Sequence, residues 1–181
     1  MTGVDVRRTV LVRQARDRVW NALEARLDEV ARHMEGIESV RCLEREEERP
    51  GVFQTVNEWR ATTALPAFLQ SRVEGDALVW TERARMDSAA YESAWTVESS
   101  ILGDGLGARG RTRLTPAMGG RGTRLEFEVE ATMAPGALGP LDRGRIHEGL
   151  REASAMIVAK TLLDLASGVG ALLGADPGDA E

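Results

Sequence analysis

The most constraining feature of this chain is a series of alternating segments that ends in one long apolar segment. Residues 123–133 alternate most regularly, with Leu125, Phe127 and Val129 on one side and Glu126 and Glu128 on the other. Such alternation is typical of a strand with one buried and one solvated face. A sheet with an apolar face needs a cover, and residues 142–173 are the only large apolar element that remains. We therefore expect a sheet that packs on a long C-terminal helix.

Six further segments show the same period of two, at residues 4–12, 39–47, 52–63, 78–86, 91–99 and 109–116. Short turn sequences separate most of them, and the Pro50-Gly51 step is typical of a hairpin. After the first segment, apolar residues recur at helical spacing from Asp17, which stands where an N-cap would, to Gly36. This order predicts an α+β fold. Its seven-stranded curved antiparallel sheet wraps around the C-terminal helix, and one or two short helices follow the first strand.

Length and charge set the class of protein. The 181 residues suffice for one domain with its own core, and we expect residues 1–174 to form it, followed by a disordered acidic tail at 175–181. The formal net charge of −6 opposes nucleic-acid binding, which needs clustered, uncompensated basic residues. A Gly-x-Gly-x-x-Gly match at residues 105–110 precedes a strand instead of opening a helix. We therefore interpret it as a hairpin loop and not as a dinucleotide site.

Three features bear on location and cofactors. Cys42 is the only cysteine, and the N-terminal segment lacks the pattern of a secretory signal, so we expect a cytoplasmic protein. The apolar segment 153–173 has the length of a bilayer span, but Lys160 and Asp164 interrupt it and can pair along a helix. We expect a core-facing helix and no stable membrane insertion. No metal-ligand or cofactor spacing stands out, and we expect no cofactor.

Three stretches resemble the START-like superfamily, also called SRPBCC, whose members have the helix-grip fold. They are residues 10–23 (VLVRQARDRVWNAL), 51–59 (GVFQTVNEW) and 122–127 (GTRLEF), and the resemblance extends over residues 4–173. It implies a cavity between the sheet and the C-terminal helix that holds an apolar molecule such as a lipid, a polyketide or an isoprenoid. The superfamily includes carriers, cyclases and hydrolases without a universal catalytic motif, so the resemblance narrows the fold more than the chemistry.

Three tryptophans are the main candidates for contact with such a molecule. Trp59, Trp80 and Trp95 occur in three consecutive predicted strands, each on a face with apolar or small neighbours. An indole ring supplies apolar area and one N–H donor, which suits an amphipathic ligand as well as a protein core, and both interpretations stay open. The residues that we expect to contact the ligand are Asn57, Trp59, Trp80, Glu82, Tyr91, Trp95, Phe127, Ser154 and Val158.

Candidate catalytic residues are Glu82, His147 and Tyr91. Glu82 falls on the predicted inner face, where burial would raise its pKa toward a range useful for acid–base chemistry. A register shift of one residue would instead turn it to solvent, where it would form an ordinary ion pair. His147 opens the C-terminal helix near the expected mouth of the cavity, and a surface histidine is the alternative interpretation.

Three hypotheses of function follow. The leading one is that the chain binds or carries a small apolar molecule without catalysis. The second is an enzyme of the cyclase, dehydratase or hydrolase type, which would bring at least two of its polar residues to one bound molecule. Its candidates are Asn57, Glu82, Tyr91 and His147. The third is an interaction module, with a homodimer formed through the helix or the exposed sheet.

Overall fold

Seven strands and three helices account for most of the residues that the structure, a computed structural model, describes: 5–62, 78–99, 106–133 and 145–175. In chain order they are β1 (Asp5–Val12), α1 (Arg16–Ala25), α2 (Leu27–Ala31), β2 (Ile37–Arg49), β3 (Val52–Ala61), β4 (Leu78–Asp87), β5 (Glu92–Ser99), β6 (Leu106–Ala117), β7 (Gly122–Met133) and α3 (Arg145–Ala175). A short 3₁₀ turn at Met118–Gly120 joins β6 to β7.

The strands form one antiparallel sheet in the order β1-β7-β6-β5-β4-β3-β2. Strands β2 to β7 therefore run as a sequential meander, and β1 closes the far side by pairing with β7. The alternation in β7 matches its burial, since Leu125, Phe127 and Val129 are almost completely buried. The predicted fold class is confirmed: a seven-stranded antiparallel sheet with a long C-terminal helix and short helices after the first strand.

Helix α3 packs on β7, β1 and β6 and against α1 and α2. An α-helix with its side chains is about 10 Å wide, whereas seven strands spaced about 4.8 Å apart span nearly 30 Å. One helix therefore cannot cover the whole inner face. The part of the sheet around β3, β4 and β5 needs other elements, or a bound molecule, to exclude water from its apolar side chains.

The apolar part of α3 is a core helix. By length and composition alone, Ser154–Ala175 is long and apolar enough to cross a membrane. In the fold its inward side chains join the hydrophobic core, as the expectation of a core-facing helix required, and Lys160 and Asp164 pair at 2.5 Å along its outer edge. The buried apolar side chains of this segment are Ala155, Ala159, Leu165, Ala166, Val169, Leu172 and Leu173.

Two local predictions at the N-terminal helix and at the turn after β4 differ from the structure. Ala15 occupies the N-cap position of helix α1 without a side-chain cap, and Asp17 lies in the first turn. The Asp17 carboxylate instead accepts a hydrogen bond of 2.6 Å from the Tyr91 hydroxyl. Tyr91 was predicted at the start of a strand, yet it lies in the turn before β5 with a φ of 53°. A left-handed residue of this kind suits a tight turn, and it aims the ring out of the sheet register toward α1.

The glycine-rich segment is also not a loop over the part that the structure describes, since β6 already begins at Leu106. Gly110 lies opposite Trp95 in the neighbouring strand. A Cβ atom on Gly110 would overlap both the Trp95 ring and the carbonyl oxygen of Glu128. The absence of a side chain therefore lets the indole lie flat across β6, where its Nε1 donates to the Thr112 hydroxyl at 3.1 Å.

We predict that Gly110→Ala destabilises the protein by about 1–3 kcal/mol, because the added methyl group must displace either the Trp95 ring or the β7 backbone. Urea denaturation followed by circular dichroism measures the change in the free energy of unfolding. Gly149→Ala is the control, since a Cβ atom there meets no atom within 4 Å and alanine favours a helix. Equal effects of the two substitutions would contradict the packing that is inferred for Trp95.

Candidate functional site

A pocket of about 400 Å³ lies on the inner side of the sheet, under α1, α2 and α3. Its volume is within the range of pockets that hold small organic molecules. Strands β3 and β4 contribute Asn57, Trp59 and Glu82, and β5 contributes Trp95. The helices close the pocket with apolar side chains, which include Leu23, Leu27, Leu162 and Leu165. The wall is therefore mainly apolar, with a few polar groups on the sheet side.

The polar centre of the wall is the carboxyl group of Glu82. Its Oε2 atom accepts a hydrogen bond from Asn57 Nδ2 at 3.2 Å and another from Trp59 Nε1 at 2.8 Å. The sheet fixes this arrangement, because Asn57 is the direct cross-strand partner of Glu82 and Trp59 follows two residues later on the same face. The Trp59 N–H thus has its hydrogen-bond acceptor in the Glu82 carboxyl group. Glu82 forms no ion pair with any described residue.

The pKa of Glu82 is raised, because burial disfavours the charged carboxylate, and the hydrogen bonds from Trp59 and Asn57 offset only part of that effect. Both bonds fall on Oε2, and no residue in the described ranges donates to Oε1. A proton bound by Glu82 therefore resides on Oε1, since Oε2 already accepts two N–H groups. In its neutral form the residue presents an O–H donor, and in its ionised form an acceptor.

The second wall of the pocket consists of aromatic rings held in fixed positions. Trp95 is buried across Gly110, as described above, and lines the pocket. Trp59 stacks on Trp80 with ring centroids 5.8 Å apart and ring planes inclined by 9°. Trp80 is partly buried and is not among the lining residues. The rings of Trp59 and Trp95 thus form part of the pocket surface. Trp80 does not line the pocket and stacks on the ring of Trp59.

A network of polar side chains closes one side of the pocket. Glu24 on α1 accepts hydrogen bonds from Trp20 Nε1 at 2.7 Å and from Ser88 Oγ at 3.0 Å. Arg45 on β2 donates to the Glu24 carboxylate at 2.8 Å and to the Glu24 backbone carbonyl at 2.7 Å. These bonds tie α1 to β2 and to the turn after β4. The helix that covers the pocket is therefore held by oriented hydrogen bonds as well as by apolar contact.

Tyr91 lies beside this network and outside the pocket. Its hydroxyl donates to Asp17, its ring packs edge-on against Trp20 with centroids 5.7 Å apart, and the Arg16 guanidinium lies 3.7 Å from the ring centroid. The hydrogen bond to Asp17 raises the pKa of the Tyr91 hydroxyl. In this position the residue clamps α1 to the hairpin of β4 and β5.

The remaining candidates are spread along the core and α3. Phe127 is fully buried within the core, and Val158 is partly buried and packs against it. Ser154 is partly buried on α3. The backbone of His147 belongs to the first turn of α3, while its side chain lies outside the described part of the structure. Of the nine residues expected to contact a ligand, the pocket brings together Asn57, Trp59, Glu82 and Trp95.

A larger concavity of about 1100 Å³ lies on the outer face of the sheet. Exposed charged side chains dominate its surface, and several of them are paired across strands, as in Arg109 with Glu130 at 2.8 Å and Arg7 with Glu128 at 3.2 Å. Exposed pairs of this kind hold their charges in water and contribute little energy. We therefore place the candidate site in the smaller inner pocket, where the buried carboxyl group and the indoles lie.

Sequence reasoning missed the contributions of α1, β2 and β6. Trp20 lies in one of the stretches that carried the family resemblance, but its link to Glu24 was not recognised, although the two residues are four apart on one helix. The Thr112 hydroxyl, which satisfies Trp95, is buried on β6. A polar residue at helical spacing from a tryptophan was the available signal for Glu24. Nothing local in the sequence marks Thr112, because its role depends on cross-strand register.

No protein-family model matches this sequence, and no curated protein sequence matches it. Solved structures do match in fold. The aromatase/cyclase Zhui from Streptomyces sp. R1128 is 22% identical over 95% of this chain and 94% of that one, with a TM-score of 0.64. A START superfamily protein from Mycobacterium smegmatis is 14% identical over 94% and 99%, with a TM-score of 0.59. A protein from Thermus thermophilus is 18% identical over 92% and 97%, with a TM-score of 0.62.

These likenesses cover almost the full length of each chain, at identities that establish the fold and nothing finer. The chain has the helix-grip fold of the START-like superfamily, and the fold implied by the resemblance in its sequence is confirmed. Neither the ligand nor the chemistry of any of these proteins is thereby transferred to this one.

We predict that Glu82→Gln changes the pH dependence of stability. With its pKa raised, Glu82 holds more protons in the folded than in the unfolded state between its ordinary pKa and the raised value. The free energy of unfolding of the wild type therefore falls as pH rises through that window. Glutamine does not titrate and keeps an acceptor for Trp59 and Asn57, so the variant should gain stability relative to the wild type as pH rises.

Urea denaturation at a series of pH values between 4 and about 8 measures this difference. Glu98→Gln, at an exposed position on β5, is the control for the loss of one negative charge. A wild type that gains stability over Glu82→Gln with rising pH would show that the carboxylate, and not the acid, is the favoured form.

Proposed function

We propose that this protein binds a small apolar molecule in the pocket between the sheet and helices α1, α2 and α3, and carries it without changing it. The observation on which the proposal depends is the pocket itself, which has a volume of about 400 Å³ and is lined by indole rings and leucines. It lies in a fold whose one long helix is too narrow to cover the whole inner face of the sheet. Transfer of an apolar molecule from water to such a wall is favourable by about 25 cal/mol for each Å² that is buried.

Three further features support binding of a guest. The wall is mainly apolar with a small number of polar groups, which include Glu82 and Asn57, and this is the usual composition of a small-molecule site. The rings of Trp59 and Trp95 are held by hydrogen bonds to Glu82 and Thr112. The pocket is therefore preorganised, and a ligand need not spend binding energy on ordering these side chains. We also propose that residues 1–174 act as one domain, in agreement with the full-length match to single-domain folds.

An enzyme acting in the same pocket is the second candidate, because Glu82 has a raised pKa and stands 3.2 Å from the Asn57 amide. Two of the four expected polar residues thus converge. Tyr91 does not join them, since its hydroxyl is engaged by Asp17. Acid–base catalysis commonly uses one group to give a proton and another to accept it. Glu82 has no titratable partner within hydrogen-bond distance among the described residues, and for that reason we favour the carrier.

The first test is extraction of the purified protein with organic solvent, together with native mass spectrometry of the intact complex. We expect an apolar molecule to co-purify. For a direct measurement, the uncharged fluorescent probe N-phenyl-1-naphthylamine should bind with enhanced emission, because its rings leave water for the apolar wall.

We predict that Ala84→Phe weakens binding of this probe by at least about tenfold, which corresponds to about 1.4 kcal/mol. Ala84 faces the pocket on β4 and is 8% exposed, so a phenyl group there occupies the space of the ligand. Ala94→Phe is the matched control, since it adds the same group to the outer face of the adjacent strand. Fluorescence titration gives the affinity, and circular dichroism confirms that each variant is folded.

Ala84→Leu provides a smaller obstruction if the phenylalanine variant does not fold. The proposal is overturned if the wild type does not bind the probe, or if both substitutions at position 84 leave the affinity equal to that of Ala94→Phe. The enzyme alternative is supported if the molecule recovered after incubation differs in mass from the one that was added.

A further inference from the structure

Among the polar groups that line the inner pocket, Glu82 has one carboxyl oxygen, Oε1, that accepts no hydrogen bond from a described residue. The other carboxyl oxygen, Oε2, is occupied by the two N–H donors of β3. Along the transverse row through Glu82, its partners are Asn57 on β3 and Val97 on β5. Glu82 thus lies between an amide that already donates to Oε2 and an apolar side chain, and Oε1 is the carboxyl oxygen left for a molecule in the pocket. The other polar side chains of the lining include Thr55, whose buried hydroxyl has no hydrogen-bond partner among the described residues.

The charged groups that line the pocket are compensated. Strand β2 contributes two cations, and each is paired: Arg41 with Glu58 at 3.1 Å and Arg45 with Glu24 at 2.8 Å. The acid on α2, Asp28, is paired with Arg32 at 3.5 Å. From β5, β6 and α3, the groups that face the pocket are uncharged, namely Ser93, Trp95, Thr112, Leu114, Leu162 and Leu165. Both cations in the described lining of the pocket are thus already paired with a carboxylate of the protein.

This arrangement discriminates between classes of ligand. An anionic headgroup would lose its water in a pocket whose lining cations are paired, and this desolvation opposes its binding. When Glu82 is ionised, repulsion between the two carboxylates adds to that cost. An uncharged molecule suffers neither penalty. Oε1 holds the proton of the neutral acid, and a hydrogen-bond donor in an apolar wall is best satisfied by an acceptor such as a carbonyl oxygen.

We propose that the pocket selects uncharged ligands that present a carbonyl oxygen to Oε1 of Glu82, and discriminates against fatty or aromatic carboxylates. This inference rests on the proposed binding function and specifies the chemical class of the ligand. Glu82 acts as the donor, the indoles of Trp59 and Trp95 contact the apolar body, and Asn57 and Trp59 hold the carboxyl group in orientation through Oε2.

Three naphthalenes of nearly equal shape test the proposal: 2-acetylnaphthalene, which is an uncharged ketone, 2-naphthoate, which is an anion, and 2-isopropenylnaphthalene, which is a hydrocarbon. Each competes with N-phenyl-1-naphthylamine over a series of pH values from about 5 upward, and the expected order applies to the range in which Glu82 is protonated. We expect the ketone to bind about fivefold more tightly than the hydrocarbon, the usual net value of one hydrogen bond, and the carboxylate to bind most weakly of the three.

Two variants assign this preference to the carboxyl group. Glu82→Gln keeps an oxygen acceptor for Trp59 and Asn57 and replaces Oε1–H with an N–H donor, so the preference for the ketone should persist. Glu82→Leu removes the carboxyl group and leaves the N–H groups of Trp59 and Asn57 without their acceptor, so any remaining preference for the ketone in this variant should not depend on pH. In the wild type the preference should disappear at a pH high enough to ionise Glu82, whereas in Glu82→Gln it should be independent of pH.

The outcomes separate the two proposals. If no naphthalene displaces the probe and the probe itself does not bind, the binding function fails. If all three ligands bind with equal affinity, or if naphthoate binds best, the pocket is a binding site but the selection for carbonyl groups is wrong. A preference for the ketone that survives the ionisation of Glu82 in the wild type would also overturn the role of Oε1. The probe affinity of each variant shows that its pocket is intact.

Discussion

The structure depends on a mismatch of widths: one helix about 10 Å across must cover the apolar face of a sheet nearly 30 Å across. Helix α3 covers the side of the sheet that is formed by β1, β7 and β6. The short helices after β1 cover part of the remainder, and the space left over is the pocket. A cavity of this origin follows from the architecture and does not need a special packing defect. Residues on β3, β4 and β5 contribute to the shape and polarity of the pocket, and these strands lie away from the main contact of α3 with the sheet.

Burial of a carboxyl group is costly unless the group is neutral or hydrogen-bonded. Glu82 meets both conditions. Its Oε2 atom accepts two N–H groups, and burial raises its pKa and so favours the neutral acid. The same logic of fixed partners extends to the rim, where Trp20, Ser88 and Arg45 converge on Glu24. The pocket therefore combines an adaptable apolar space with rigid polar positions, as a selective binding site requires.

The fold was predictable from the sequence because its main signal, alternation in β7 and the other strands, extends over many residues and resists small errors. Individual side chains were less predictable. Glu82 and Asn57 could be placed on one face by alternation, but their contact depends on the exact pairing of β3 with β4. Tyr91 itself takes a left-handed conformation in a turn and so leaves the expected strand register. Asp17 does not cap the helix and instead pairs with Tyr91, 74 positions away in the chain. Such long-range contacts leave no local pattern.

The edge of the sheet formed by β2 is poorly suited to pairing with a strand of another molecule. Strand β2 is an outer strand, its pairing with β3 shifts register at three points, and most of its side chains from Arg41 to Arg49 are charged and exposed. A regular ladder of free N–H and C=O groups is what recruits a second strand and starts fibril growth. The interruptions and the repulsion between acidic neighbours therefore make the β2 edge a poor template for a second strand.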